Sequence, residues 1–451
     1  MKQLPPNFLR RMETLLGDEF DDFLKSYDRE PVKGFRVNTD KISAQDFLKI
    51  NPFGREKIPY VDSGFYLEYD KVGNHPYHHA GMIYVQEPAA MAPAEAVDIE
   101  PDWHILDMCA APGGKSTQLK NKLGGNGVLV SNEIVMNRCK ILTGNIERLG
   151  LKNCVTTCMD TTKLANTFPK TFDMVMVDAP CSGEGMFRKD DTAVSMWSQE
   201  NVELCAKRQA QILDNAALCL KDSGYIVYAT CTFSLEENEM TVDSFLKRHP
   251  DFKIVPANER IVRHSDDGVI FDGCDNDQIS LCRRFYPHKN RGEGQFTAVL
   301  KNTNEPYLQK HNSRPVAGCE RVVTDFLDSV LVSYNKENLF MYSQKPVYFS
   351  TEFSVDNSVA FSCGVTIGEI KKNYILPHHQ FFMCFGKDFK NKIDLEADSD
   401  KLKKYLHGEE FDTDCQNGWA VVTVKGCTVG GVKVTDGRAK NHYPKGLRTC
   451  Y

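Results

Sequence analysis

Two short apolar runs, Met174-Val175-Met176-Val177 and Tyr225-Ile226-Val227-Tyr228, are each cut off by turn residues. Unbroken runs of this length, without polar alternation, predict strands buried on both faces of a parallel sheet. The same pattern recurs from about 103 to 300. Strands are predicted at 104–108, 127–132, 153–158, 172–178, 224–230 and 296–300, and helices near 116–123, 136–149, 200–221 and 235–249. Such alternation implies an α/β fold, with a mostly parallel sheet covered by helices on both faces. Before it, residues 1 to about 30 carry Leu9, Met12, Leu15 and Leu16 at helical spacing. Gly34 to Thr39 is strand-like, His75 to Ala80 reads as a loop, and Pro88 to Ala96 predicts a helix entering the central region. After it, residues 302–315 have linker composition. A smaller α+β region follows, and Gly418 to Val424 and Gly430 to Val434 predict strands of a compact β-rich end. The expected units are 1–95, 96–301, 316–390 and 391–451.

Composition narrows the class. A chain of 451 residues with 41% hydrophobic content can bury two or three cores. No run reaches the ~18–20 apolar residues of a membrane span. The start, Met1 to Pro6, lacks the apolar region of a secretory signal. A cytoplasmic monomer is therefore expected, away from membranes. The sixteen cysteines are scattered with no Cys-x-x-Cys pair. This argues against a zinc ribbon and for free thiols in a reducing compartment. A net charge of −6 means that any nucleic-acid footprint must be local. The last 31 residues supply one: Lys425, Lys433, Arg438, Lys440, Lys445 and Arg448 face only Asp436, a formal +5. His442 and Tyr443 are interleaved with it, a composition suited to RNA.

The candidate chemistry sits at strand ends. Residues just past parallel strands gather in the ligand crevice of an open α/β sheet. The first central strand opens into Cys109-Ala110-Ala111-Pro112-Gly113-Gly114-Lys115-Ser116-Thr117, and a helix follows. Paired glycines let a ligand approach the backbone, and the helix N-terminus offers free N–H groups. Glu133 lies 20 residues after Gly113, where an acidic residue can bind ribose hydroxyls. Asp160 ends the third strand, near an adenine edge. A structural turn, a phosphate loop and a nucleoside site all compete for this segment. The phosphate loop needs a glycine where Cys109 stands. The nucleoside reading, with S-adenosylmethionine as the example, fits the acidic position better.

Two more strand ends carry thiols: Asp178-Ala179-Pro180-Cys181-Ser182-Gly183 and Ala229-Thr230-Cys231-Thr232. A lone cysteine at such a place is most simply a small buried hydrophobe. Two thiols and a carboxylate in one crevice suggest covalent chemistry on a ring. A zinc deaminase would need a second cysteine after Pro180-Cys181-Ser182-Gly183, and Glu184 stands there. His75, His78 and His79 read as surface histidines of a loop, and no metal site is expected.

Taken together, CAAPGGK at Cys109 to Lys115, DAPCSG at Asp178 to Gly183 and ATCT at Ala229 to Thr232 resemble the Sun-type family of RNA cytosine-5 methyltransferases. Glu184-Gly185, Arg188-Lys189-Asp190, Tyr286-Pro287-His288, Gly292 to Phe296 and Lys440 to Gly446 point to its bacterial branch acting on 16S ribosomal RNA. The resemblance implies a Rossmann-like S-adenosylmethionine-dependent methyltransferase domain, a small N-terminal α/β region and a C-terminal α+β PUA-like RNA-binding region. It implies that Cys109, Ala110, Ala111, Pro112, Gly113, Gly114, Lys115, Glu133, Asp160 and Asp178 line the cofactor site. Asp178 would lie between cofactor and base, Cys231 would be the nucleophile and Cys181 would assist product release. RNA would meet Lys189, Lys440, His442, Tyr443, Lys445 and Arg448, as free small-subunit RNA or as part of an assembling subunit. Two other readings stay open, a transfer-RNA methyltransferase and a non-catalytic RNA-binding assembly factor. The second leaves the paired cysteines without a purpose.

Overall fold

The structure, a computed structural model, describes residues 4–305, 319–350, 353, 355 and 358–449. At the N-terminus, α1 (Pro6–Leu16) and α2 (Phe20–Ser26) are joined by a 3-10 turn. They bury Phe8, Met12 and Phe23 against Phe187, Trp197 and Phe233 of the central region. Then β1 (Gly34–Val37), α3 (Ala44–Ile50), β2 (Gly64–Tyr66), the short α4 (Pro76–His79) and β3 (Ile83–Gln86) form a small α/β unit. Its antiparallel sheet has the order β2-β1-β3. The helix predicted over 88–96 is instead two 3-10 turns, Ala89–Met91 and Pro93–Glu95. Pro93 has no N–H to continue a helical ladder, so the segment breaks there.

The central region follows the predicted alternation. In chain order it runs β4 (His104–Asp107), α5 (Gly114–Lys122), β5 (Val128–Asn132), α6 (Met136–Leu149), β6 (Cys154–Thr157), α7 (Thr161–Thr167), β7 (Phe172–Asp178), α8 (Asp191–Met196), α9 (Gln199–Cys219) and β8 (Leu220–Thr230). It continues with α10 (Glu239–Arg248), β9 (Phe252–Ile254), α11 (Glu259–Arg263), β10 (Asp266–Asp267), β11 (Arg283–Phe285) and β12 (Gln295–Asn302). The strands β6-β5-β4-β7-β8 are parallel neighbours, and β12 adds to β8 in the opposite direction. The chain starts at β4, runs outward to β6, then crosses to β7. A crevice must therefore open at the carboxyl ends of β4 and β7, where the order reverses. Leu106, Val130, Val175 and Val177 fill one face of the sheet, and Ile105, Leu129, Met174 and Met176 the other. That is why these strands read as unbroken apolar runs.

Of the linker stretch, Asn302 ends β12 and residues 306–315 lie outside the described residues. Then come α12 (Arg321–Val330), β13 (Leu339–Tyr342), β14 (Lys345–Tyr348), β15 (Ala360–Cys363), β16 (Val365–Thr366), β17 (Gly368–Lys371), β18 (Tyr374–Pro377) and α13 (His379–Phe385). The terminal unit holds β19 (Lys392–Asp394), α14 (Asp400–His407), β20 (Phe411–Asp412), β21 (Gly418–Val424), β22 (Cys427–Thr435) and β23 (Arg438–Asn441). Its five strands form one sheet, β19-β21-β22-β23-β20. Two features go beyond the sequence reading. β15 does not stay with its own module; it pairs antiparallel with β6 and extends the central sheet. The N-terminal unit and the terminal sheet share one core, with Phe35, Phe47 and Tyr77 in the same cluster as Tyr405, Val422 and Tyr443.

Candidate active site

The loop after β4 is shaped by local chemistry. Gly113 sits at φ +110°, a conformation that favours glycine, and caps α5. Ala110 N–H donates to Asn132 O at 2.8 Å. Arg138 and Asn145 donate to the carbonyls of Ala111 and Pro112 at 2.8 and 2.9 Å. Behind the loop, Arg36 of β1 is 2% exposed. Its guanidinium donates to Gly114 O at 2.7 Å, Thr117 Oγ1 at 2.8 Å and Gln86 Oε1 at 2.9 Å. The N-terminal unit thus braces the glycine loop.

Acidic groups surround the crevice. Asp107 is fully buried and its Oδ2 accepts from Ser116 at 2.6 Å. Burial pushes its carboxyl up to about 7. Glu133 directly follows β5, with its carboxylate almost fully covered. Its Oε1 caps Val135 N at 2.9 Å and its Oε2 lies 3.2 Å from Arg138. The next three residues, Ile134, Val135 and Met136, are exposed apolar side chains. Asp160 caps α7 through Lys163 N at 2.9 Å, so one of its oxygens serves the helix. A left-handed glycine at a helix N-terminus, a strand-end carboxylate with spare acceptor capacity and an apolar lip fit a nucleoside. They do not fit a triphosphate, because only Lys115 could balance its charge from this loop.

Lys115 does not stay with the loop. It turns across to Asp178 at the end of β7, Nζ to Oδ2 at 2.7 Å, with its side chain 8% exposed. Asp178 Oδ1 has no partner among the described residues. Beyond Asp178 the chain reaches Cys181, and the neighbouring β8 reaches Cys231. Their Sγ atoms are 3.3 Å apart. The contact with Cys231, together with burial, holds the Cys181 thiol well above its ordinary range. Lys115 is held up by the nearby charge of Asp178 and Cys231 against the opposing effect of burial. Its charge is thus held against Asp178 and within electrostatic reach of Cys231. Lys189, expected from the resemblance to meet RNA, lies 3.8 Å from Glu293.

Two buried carboxylates position the cysteine loops. Glu184 accepts from Trp197 Nε1 at 2.9 Å, Thr232 Oγ1 at 3.0 Å and Phe233 N at 3.1 Å. Glu237 accepts from Ser182 N and Oγ at 2.9 and 2.5 Å and from Gln209 at 2.8 Å. Ser182 and Thr232 also share a hydrogen bond of 2.8 Å. The residues flanking both thiols are thus tied into one network. Sequence reasoning missed Glu237. The polar cluster Ser234-Leu235-Glu236-Glu237-Asn238 right after a strand-end cysteine was the available signal. A cavity of about 780 Å³ lies behind this network, between α1 and residues 233–240, and neither cysteine lines it.

The expected RNA residues separate. Lys440 and Lys445 are exposed. Arg448 folds back to donate to Tyr443 O at 3.4 Å. Tyr443 is 3% exposed and its hydroxyl meets His79 Nδ1 at 2.8 Å, so it is a core residue and not a surface contact. His442 packs edge-on to Trp419 at 4.5 Å. Both line a cleft of about 730 Å³ between the two C-terminal modules, with Tyr374, Arg321, Lys372 and Lys433. The histidines at 75, 78 and 79 are half-buried, not surface residues, and no group of metal-ligating side chains occurs among the described residues.

Comparison with known proteins gives this geometry a class. A family model described as 16S rRNA methyltransferase RsmB/F matches residues 94–301. Models for the N-terminal domain of 16S rRNA methyltransferase RsmF and for the methyltransferase RsmF PUA domain match 4–88 and 392–449. A methyltransferase homolog from Pyrococcus horikoshii superposes with a TM-score of 0.58 at 27% identity, covering 65% of this chain and 94% of that one. The NSun6 structure from the same organism has a TM-score of 0.57 at 23% identity, over 67% and 99% of the two chains, and supports the fold alone. The class is that of S-adenosylmethionine-dependent methyltransferases built on a Rossmann-like sheet. Within it, ribosomal RNA small subunit methyltransferase F of Vibrio vulnificus is 30% identical over 98% of this chain and 97% of its own length. The protein of that name from Klebsiella pneumoniae is 29% identical over 98% and 96%. The chain belongs to the RsmF branch of the 16S rRNA methyltransferase RsmB/F family. No helix among the described residues is long and apolar enough to cross a membrane.

Proposed function

We propose that the protein methylates carbon 5 of a cytosine in 16S ribosomal RNA, through a covalent adduct of Cys231 at carbon 6. The observation that carries this reading is the thiol pair, 3.3 Å apart, beside the Lys115–Asp178 ion pair. S-Adenosylmethionine, when bound, supplies an electrophilic methyl group. The loop Cys109 to Lys115 would hold it, with Glu133 on the ribose and Ile134 and Asp160 near the adenine.

Carbon 5 of cytosine is a weak nucleophile. Addition of the Cys231 thiolate to carbon 6 forms a carbon–sulfur bond and pushes electron density onto carbon 5 and the ring nitrogen. This divides a hard step into easier ones. Lys115 stabilises the thiolate and the negative charge developing on the ring. The free oxygen of Asp178 accepts from the exocyclic amine and orients the ring. Once methylated, carbon 5 must lose its proton so that the electron pair can expel Cys231 as thiolate. Cys181 is suited to this later step. Its Sγ lies 3.3 Å from that of Cys231, beside the ring that the adduct holds, and as the base of this step it takes the carbon-5 proton. The target base must be unstacked to reach this crevice.

The cleft holding Tyr374, Trp419, His442, Lys372 and Lys433 offers aromatic faces for bases and cations for phosphates, the combination that grips single-stranded RNA. Denaturing gels with labelled RNA test the chemistry. Cys231→Ala gives no adduct and no methylation. Cys181→Ala gives a stable shifted band, because methyl transfer occurs and release does not. Absence of an adduct in both variants, and with 5-fluorocytosine RNA and the parent enzyme, rules out covalent catalysis. Bisulfite sequencing of RNA methylated by the enzyme identifies the base.

A further inference from the structure

A second cavity, about 360 Å³ in volume, lies away from the crevice, where the N-terminal unit, the central region and the C-terminal modules meet. Four lysines line it, and they come from all three regions. Lys41 comes from the N-terminal unit, Lys120 and Lys152 from the central region, and Lys387 from the segment after α13. None of the four forms a salt bridge among the described residues. Lys41 Nζ donates to Met383 O at 2.5 Å and Lys387 Nζ to Asp40 O at 3.1 Å, both neutral carbonyls. Lys152 Nζ stands 4.1 Å over the Phe385 ring. Lys120 is 5% exposed and has no hydrogen-bond partner among the described residues.

The surroundings do not balance this charge. The lining carboxylates are Asp40 and Asp388, leaving a formal +2. The thiols of Cys384 and Cys427 also line the cavity, and burial pushes both up, Cys384 to about 12, so they stay neutral. Glu147 acts on Cys384 from α6, and burial pushes its carboxyl up to about 7. Burial lowers the pKa of Lys41 to about 8, and the nearby charges of Lys387 and Lys152 add to that lowering. Like charges gathered in a partly enclosed space repel one another and lose hydration. A bound anion relieves both costs.

We propose that this three-way junction is an oxyanion site for a phosphate group, held by Lys41, Lys120, Lys152 and Lys387. A free phosphate and a backbone phosphate of bound RNA have the same chemistry here. Occupancy ties the three regions together, because each supplies at least one of the cations.

The test titrates the full-length protein with inorganic phosphate and pyrophosphate at constant ionic strength, by calorimetry and thermal melting, with chloride as control. Lys152→Met and Lys387→Met are the variants, and neither residue belongs to the active site. The expected result is saturable one-to-one binding that raises Tm and weakens at least tenfold in each variant. Without phosphate the variants melt no lower than the parent, because repulsion is relieved. A second arm measures RNA affinity against salt. If an RNA phosphate fills the site, each variant loses about one unit of slope and inorganic phosphate competes with RNA. If a free anion fills it, the slope is unchanged while phosphate binding is lost. Absence of saturable phosphate binding together with an unchanged slope overturns the proposal. So does an equal phosphate response in parent and variants.

Discussion

At the scale of single residues, Cys231, the proposed nucleophile, is placed by backbone contacts that leave no room. Gly185 N donates to Cys231 O at 2.9 Å, and Gly294 N donates to Gly185 O at 3.2 Å. A Cβ on Gly185 would stand 2.7 Å from Gly294 O and 2.9 Å from Cys231 O. Gly185→Ala must therefore displace the Cys231 backbone. A shift of about 1 Å at a reacting group costs on the order of 100-fold in rate. The overpacking itself costs about 1–3 kcal/mol of stability. We expect kcat/KM to fall by that order while circular dichroism still shows a cooperative melt. Unchanged kinetics would mean that this contact does not position the thiol. Glu133 gives a second residue-scale expectation. Glu133→Ala should weaken cofactor binding by ~1.5–3 kcal/mol, as for a lost hydrogen bond to a charged group. Equal affinities by calorimetry would remove Glu133 from the site.

At the scale of elements, the strands and their terminal turns were legible because their causes are local. An apolar run ending in Asp-Ala-Pro-Cys or Ala-Thr-Cys-Thr states both the strand and its stop. The supports were not legible, because each joins residues far apart in the chain. Arg36 reaches the glycine loop from 78 residues away, and Arg188 meets Glu293 across 105. Tyr443 misled for the opposite reason. A tyrosine among lysines and a histidine reads as an RNA contact, but its ring is core and its hydroxyl is satisfied by His79. The buried pair Arg284–Glu239 shows what such supports do. Arg284 of β11 and Glu239 of α10 are 2% and 0% exposed, and Arg284 also donates to Phe233 O at 3.0 Å, two residues past Cys231. Removing one partner leaves a buried charge unpaired, which costs ~3–5 kcal/mol. Arg284→Met should lower stability by that amount in urea melts and loosen the Cys231 loop. Arg284→Met combined with Glu239→Leu should recover much of the stability. A double variant no more stable than the single one would show that the pair is not the source of the loss.

At the scale of the whole molecule, the first and last units are fastened by histidines that must stay neutral. His79 meets the Tyr443 hydroxyl at 2.8 Å, and the His379 ring lies 5.6 Å from the same tyrosine. Among the described residues, Nε2 of His79 and Nδ1 of His379 are buried without a hydrogen-bond partner. Burial, aided at His78 and His79 by Arg148, lowers the imidazoles from 6.5 to about 3 for His78 and His379 and to about 4 for His79. A base whose folded pKa is depressed binds fewer protons folded than unfolded throughout that window. The stability these groups provide is therefore complete above about 6.5 and is lost as pH falls toward 4. Asp107, Glu147 and Glu237, each pushed up to about 7 by burial, act in the other direction and lose stability as pH rises from the ordinary carboxylate range to 7. The total pH curve mixes the two, so the histidine share is read from a difference. His379→Phe keeps an aromatic ring against Tyr443 and removes one titrating group. Urea melts of parent and variant between pH 4 and 7.5 should diverge below 6.5, the variant losing less stability by the slope of one proton. Hydrogen exchange at acid pH should open β22 and β23 and the 75–82 segment before β7 and β8. Parallel pH curves for parent and variant, or first opening in the central sheet, would show that acid does not act through this junction.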